Sequence, residues 1–192
     1  MFIHGHPPVL CTLCIIRDDK DRQSPFAIRS LALFTAEREG ADELSFSLQH
    51  LAFKPSVPSA QILDDLCLNI PPGAAILMRG APASLSVINK DFLQTGVLPP
   101  DDVELCAQRV NDASIIALDC SDTSLLRIGA ALDLELASCD ADLTERSRRA
   151  PQHAQALWAN YVAGVCSTRE KRVLLAAFQA WQALDRARPL PF

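Results

Sequence analysis

Aromatic residues are scarce in this chain. They make up 6% of 192 residues, so leucine, alanine, valine and isoleucine must fill most of the core. No apolar run reaches the ~20 residues that a bilayer-crossing helix needs. The opening Met1-Phe2-Ile3-His4-Gly5-His6-Pro7-Pro8 lacks the basic stretch that begins a secretory signal, which leads us to expect a cytoplasmic protein. A disulfide framework is not expected either. The cysteines are seven in number, dispersed, and mostly set in apolar runs, where a free thiol behaves as a small hydrophobe. There is no internal repeat, low-complexity segment or long linker. What remains, 49% hydrophobic and 21% charged residues, suits one globular domain over 1–192.

Charge is unevenly placed. Residues 1–144 carry ten Lys/Arg against twenty Asp/Glu, and residues 145–192 carry eight against three, for a total of −5. The acidic body disfavours tight non-specific binding of nucleic acid, which depends on several phosphate contacts. The basic tail leaves a local patch open. Solvated helix faces with arginines near helix ends would give the same composition.

Residues 9–16 form a continuous apolar run of strand length. A second strand is expected over 26–35. A third, over 43–53, alternates Leu44, Phe46 and Leu48 with Ser45, Ser47 and Gln49, as a half-buried strand does. Three strands joined by short turns suggest an antiparallel meander. A helix over 60–68 should follow, stopped by Pro71-Pro72-Gly73. Next come a buried strand over 74–78, helices over 82–93 and 101–110, and a strand over 114–119. Ser121 or Thr123 should cap a helix through Leu134. Two helices close the chain. One spans 150–163, with Gly164 suited to its C-cap. The other opens on Ser167 with Glu170 three residues on, a capping box.

Several groupings invite chemical readings. His4, His6, Cys11 and Cys14 are all zinc-competent residue types. Residues i and i+3 on a strand face opposite ways, however, so core cysteines are the simpler reading. His153 with Cys166 could suggest a Cys–His nucleophile, yet nothing in the sequence brings them together. Trp158 and Tyr161, and Phe178 and Trp181, form short stripes at helical spacing. These stripes either pack the last two helices onto the domain or, for the last helix, support a homodimer.

The segment Arg148-Arg149-Ala150-Pro151-Gln152-His153-Ala154 resembles the last motif of the DEDDh 3′–5′ exonucleases, H-x-A-L-x-D-A. Ala150 and Ala154 match, Arg148 stands for the histidine, and His153 stands for the metal-binding aspartate. The family's F-D-x-E-T-x-G motif corresponds to Cys11-Thr12-Leu13-Cys14-Ile15-Ile16-Arg17, with Thr12 and Cys14 at the acidic positions. Arg79-Gly80-Ala81-Pro82-Ala83-Ser84 is similar to H-N-A-x-F-D, with Ser84 for the aspartate. Ile115 to Asp119, followed by Leu125 to Leu134, is similar to the family's strand and L-x-x-L-A-x-x-L-G-I segment.

The resemblance implies a ribonuclease H-like, exonuclease-type α/β fold: a mixed sheet of about five strands flanked by helices. The family-like core would span 9–164, with a helical extension over 165–192. It also implies a site without its chemistry. Two-metal hydrolysis needs carboxylates to hold two cations ~4 Å apart, and Thr12, Cys14, Ser84 and His153 supply none. No catalytic residue, metal or cofactor is therefore expected. The function expected is binding, of nucleic acid weakly or of a protein partner and not of a membrane, with Arg146, Arg148 and Arg149 as candidate phosphate contacts. Two alternatives stay open. One is an active exonuclease with a rearranged site built from acids such as Asp18, Asp19, Asp119 or Asp122. The other is a structural or assembly domain outside this family.

Overall fold

Five strands pair into one sheet in the computed structural model, which describes residues 7–18, 28–38, 43–54, 57, 61–62, 65–66, 69–79, 115–138 and 140–187. They are β1 (Val9–Arg17), β2 (Ile28–Arg38), β3 (Leu44–Ala52), β4 (Ala75–Arg79) and β5 (Ile115–Leu118), in the order β3-β2-β1-β4-β5. The first three form an antiparallel meander. β4 joins β1 in parallel, and β5 joins β4 in parallel. An antiparallel meander with parallel strands added beside β1 is the mixed arrangement of a ribonuclease H-like domain. Four helices follow: α1 (Asp122–Ala131), α2 (Leu143–Arg148), α3 (Ala150–Val165) and α4 (Thr168–Ala187). Among the described residues, no helix is long and apolar enough to cross a membrane. The helices expected over 82–93 and 101–110 lie outside the described residues.

The sheet is covered on both faces, which explains why β1 reads as a continuous apolar run. Leu10 and Ile16 on β1, with Ala32 and Phe34 on β2, face a core closed by α3 and α4. Cys11 and Leu13, with Leu31 and Leu33, face a second core that contains Ile62, Leu66 and Ile70. The described residues Gln61, Ile62, Asp65, Leu66 and Asn69 are helical, within and just beyond the span expected. The turn into β4 places Gly73 at φ 72° after Pro72, and the Ala74 N–H donates to the Pro71 carbonyl at 3.1 Å. A left-handed third residue after proline defines a type II turn, which is why glycine sits there.

Local chemistry sets the helix ends. Ser121 caps α1, its side chain accepting the Ser124 N–H, and Asp142 caps α2 by accepting the Glu145 N–H at 2.8 Å. α1 stops at Ala131, three residues sooner than expected. Asp133 turns left-handed there (φ 54°), and the Leu134 N–H returns to the Gly129 carbonyl at 2.9 Å. That is a Schellman ending with aspartate in the usual glycine position. Arg186 from α4 holds this aspartate through both its carboxylate and its carbonyl, each at 2.7 Å. α3 runs past Gly164 to Val165, because Gly164 takes no left-handed conformation, and Cys166 is the cap. α4 opens on the expected capping box: the Ser167 N–H donates to Glu170 Oε2 at 2.9 Å.

Five of the scarce aromatics are gathered in one place. Phe34 and Phe46 from the sheet meet Trp158 of α3 and Phe178 and Trp181 of α4, at centroid separations of 5.2 to 5.9 Å. Trp158 and Phe178 are fully buried, worth roughly 3 kcal/mol each in area terms. The stripes on the last two helices are thus largely consumed by packing. Val173 and Leu184 of α4 remain exposed.

Candidate functional site

Register decides which chain segments meet. Thr12 lies opposite Phe34 and Cys14 opposite Ala32, so both point to the face that carries α3. The parallel pairing runs Leu13 beside Met78 and Arg79 beside Leu118. Arg79, Asp119, Cys120 and the start of α1 therefore lie level with Cys14, at the carboxyl ends of β1, β4 and β5. His153 arrives from the first turn of α3. Three of the four positions singled out by sequence are thus brought to one end of one face. Ser84 lies outside the described residues.

Burial governs the chemistry of these groups. Thr12 is wholly inaccessible, and its Oγ1 has no hydrogen-bond partner. Burial pushes the Cys14 thiol up to about 12, against the opposing pull of the Arg146 and Arg79 guanidiniums. Burial also holds His153 below its ordinary range. Arg79 and Arg146 push the same way, and Asp122 opposes them. The Ala137 N–H donates to His153 Nε2 at 3.1 Å, which uses that lone pair and leaves the proton of the neutral ring on Nδ1. Cys120 is raised by burial and by Asp119 and Asp122, with Arg79 opposing. Arg79 is bonded to Asp122.

These side chains do not suit a pair of divalent cations. Magnesium takes oxygen ligands, chiefly carboxylates and water. Here a threonine, a protonated thiol and an imidazole whose charged form burial disfavours come together, with two guanidiniums close enough to shift the thiol and the imidazole. Among the described residues, no group of three His, Cys, Asp or Glu is arranged to hold a metal.

Among the described residues, the other acids raised by the sequence are split: Asp119 and Asp122 lie together beside Cys120, and Asp18 lies apart. Asp18 pairs with Arg29 at 3.2 Å. It lies four residues beyond Cys14, just past the end of β1, so it stands ~13 Å further along the strand direction than the level of Arg79. Asp122 is engaged by Arg79, and Asp19 lies outside the described residues. Of the suggested zinc set, Cys11 and Cys14 occupy opposite faces of the sheet, in different cores. His4 and His6 lie outside the described residues. Cys166 caps the far end of α3, about 20 Å from His153 along the helix.

The three arginines part company at the break between α2 and α3. Arg146 acts on Cys14 and His153. Arg148 makes a two-pronged contact to Glu145, at 2.8 and 2.7 Å. Arg149 reaches Glu145 at 2.9 Å and also pairs with Glu135. Asp122, raised by the sequence only as an acid of a rearranged site, is here the partner of Arg79. Arg79 carries no sequence signal for a role in the site; the pairing of β4 beside β1 and β5 reveals it.

Comparison with known proteins adds little to this geometry. No protein-family profile matches the chain, and no curated protein matches it. A solved structure titled "Solution structure of PFV RNase H domain" is similar at 8% identity with a TM-score of 0.25, covering 78% of this chain and 93% of that one. The fold assignment rests on strand order and direction, not on that superposition.

Proposed function

We propose that this chain is a catalytically degenerate exonuclease-like domain that binds a nucleic-acid strand without cutting it. The observation that carries the reading is the grouping of Thr12, Cys14 and His153 at one end of the sheet, uncharged and facing Arg79 and Arg146. A site that would hold cations in an exonuclease is here biased towards an anion. Arg146 is the phosphate contact best placed to serve it. Arg148 and Arg149 extend the contact only by giving up part of their pairing to Glu145 and Glu135. The acidic remainder of the chain keeps such binding weak at physiological salt.

Recognition of a protein partner is the second reading. It is favoured by the engagement of Arg148 and Arg149 with carboxylates, which lowers the charge available to a phosphate backbone. Fluorescence anisotropy with a single-stranded oligonucleotide at low salt separates the two. Binding that falls steeply with salt, weakens on Arg146→Ala and leaves the strand intact in Mg²⁺ or Mn²⁺ supports the first. Absence of binding at low salt supports the second. Cleavage that copurifies with the protein and disappears on Asp119→Ala would overturn both, in favour of an active nuclease with a rearranged site.

A further inference from the structure

A second concave feature lies between α3, α4 and the segment after α1. It is a cavity of about 370 Å³, within the ~300–1,000 Å³ typical of small-molecule sites. It takes no part in the grouping around Cys14. Its wall is unusual in carrying three carboxamides. Gln152 and Gln155 come from neighbouring turns of α3, and Gln182 comes from α4. Gln155 and Gln182 are 6% and 8% exposed, although both sit on helix faces that otherwise bury apolar residues. Gln182 Nε2 donates to Gln155 Oε1 at 3.3 Å, which fixes the pair across the two helices. Gln152 differs: its Oε1 is buried and has no hydrogen-bond partner. The terminal torsion of a glutamine is soft, so this amide can turn to meet a donor in the cavity.

Trp181 supplies an aromatic wall. Its ring is held nearly parallel to Phe178, at 24°, and against Phe46, while part of it lines the cavity. The charged lining selects against ions. Arg149 is engaged by Glu135 and Glu145, and Arg186 by Asp133. With Asp185 added, the lining holds three carboxylates against two guanidiniums. A phosphate would enter against a net negative wall, and a cation would meet both arginines. A neutral, flat, hydrogen-bonding molecule meets neither penalty.

We infer that this cavity binds a nucleobase, presented either by a neutral nucleoside or by an unstacked base of a single strand. A carboxamide offers a donor and an acceptor side by side, the complement of a base edge. An indole face accepts any base by stacking. Gln152 reads the edge, Trp181 takes the ring, and the Gln155–Gln182 pair holds the back wall rigid. The inference does not rest on the degenerate-exonuclease reading: Arg149 is common to both sites, but Gln152 and Trp181, which would hold the base, take no part in the grouping around Cys14.

The test is a titration of the full chain with adenosine, guanosine, cytidine and uridine, read by tryptophan fluorescence and saturation-transfer NMR. The matching 5′-monophosphates and a short single strand form the further arms. At least one nucleoside is expected to saturate at sub-millimolar concentration, with its monophosphate binding several-fold more weakly. Gln152→Leu should lower nucleoside affinity about tenfold, the loss of one good edge contact. Asp185→Asn, at an exposed position on the rim, should narrow the gap between nucleoside and monophosphate without touching the core. Competition by the single strand identifies a strand base as the ligand; its failure to compete identifies the free nucleoside. No saturation by any nucleoside at millimolar concentration overturns the inference, and so does unchanged affinity in Gln152→Leu with an unchanged melting temperature. Salt-dependent oligonucleotide binding through Arg146 would survive either failure, so the two sites are judged separately.

Discussion

His153 shows how burial sets the charge state of a single side chain. It sits in the first turn of α3, where burial disfavours its charged form, and its Nε2 accepts the Ala137 N–H. Its folded pKa lies below its ordinary 6.5, so the unfolded chain takes up a proton first as pH falls. The contribution to stability is therefore fully present above about 6.5 and is lost as pH drops towards the folded pKa. The charged groups facing the ring are Arg79, Arg146 and Asp122. His153→Gln keeps an acceptor for Ala137 but cannot titrate. Its urea midpoint should fall less between pH 7.5 and pH 5.5 than that of the parent. Some slope should remain, because burial lowers His50 as well. Parallel slopes in the two proteins would show that His153 does not set this dependence. From the sequence the histidine could be placed at the motif, but not its neutrality. That depends chiefly on burial, with guanidiniums from two other elements pushing the same way.

At the scale of elements, local signals were legible and their endpoints less so. The alternation over Leu44 to Leu48 gave β3 and its buried face. The Ser167/Glu170 box gave the start of α4, where the Glu170 N–H also reaches Ser167 Oγ at 3.4 Å. Ser167→Ala removes one half of that box and should cost about 1 kcal/mol, seen as a lower urea midpoint with an unchanged slope. A change below about 0.3 kcal/mol would mean that the helix is held by packing alone. Endpoints shifted where a distant group intervened. Arg186 steadies the left-handed Asp133, so α1 ends at Ala131 although its apolar pattern continues to Leu134. The arginine cluster is the clearest case. Three charges within four residues suggested one surface, but the break at Arg149 sends Arg146 to the sheet and turns Arg148 and Arg149 back on Glu145.

For the whole molecule, the sequence carried the order of elements and hence the mixed sheet. It could not carry the parallel pairing that sets Arg79 beside Cys14's end of β1, because those residues are 65 positions apart and no short-range pattern records a crossover. Nor could it carry the depth of α4's involvement. The last helix follows the family-like stretch, yet Leu174 and Phe178 are fully buried in the same core as Leu10 and Phe34. It also closes the aromatic cluster over Trp158 and braces Asp133. Losing those two side chains alone forfeits roughly 5 kcal/mol of burial, before Trp158, Phe34 and Phe46 are left facing water. That is comparable with the whole stability of many domains, ~5–15 kcal/mol. A chain ending at Cys166 should therefore lose its cooperative thermal transition and near-ultraviolet dichroism and should bind hydrophobic dyes. Phe178→Ala in the full chain should cost ~3–5 kcal/mol and still melt cooperatively. If the truncated chain melted as sharply as the full one, within a few degrees, α4 would be a decoration on a self-sufficient domain, and the cavity it forms with α3 could be removed without cost to the fold.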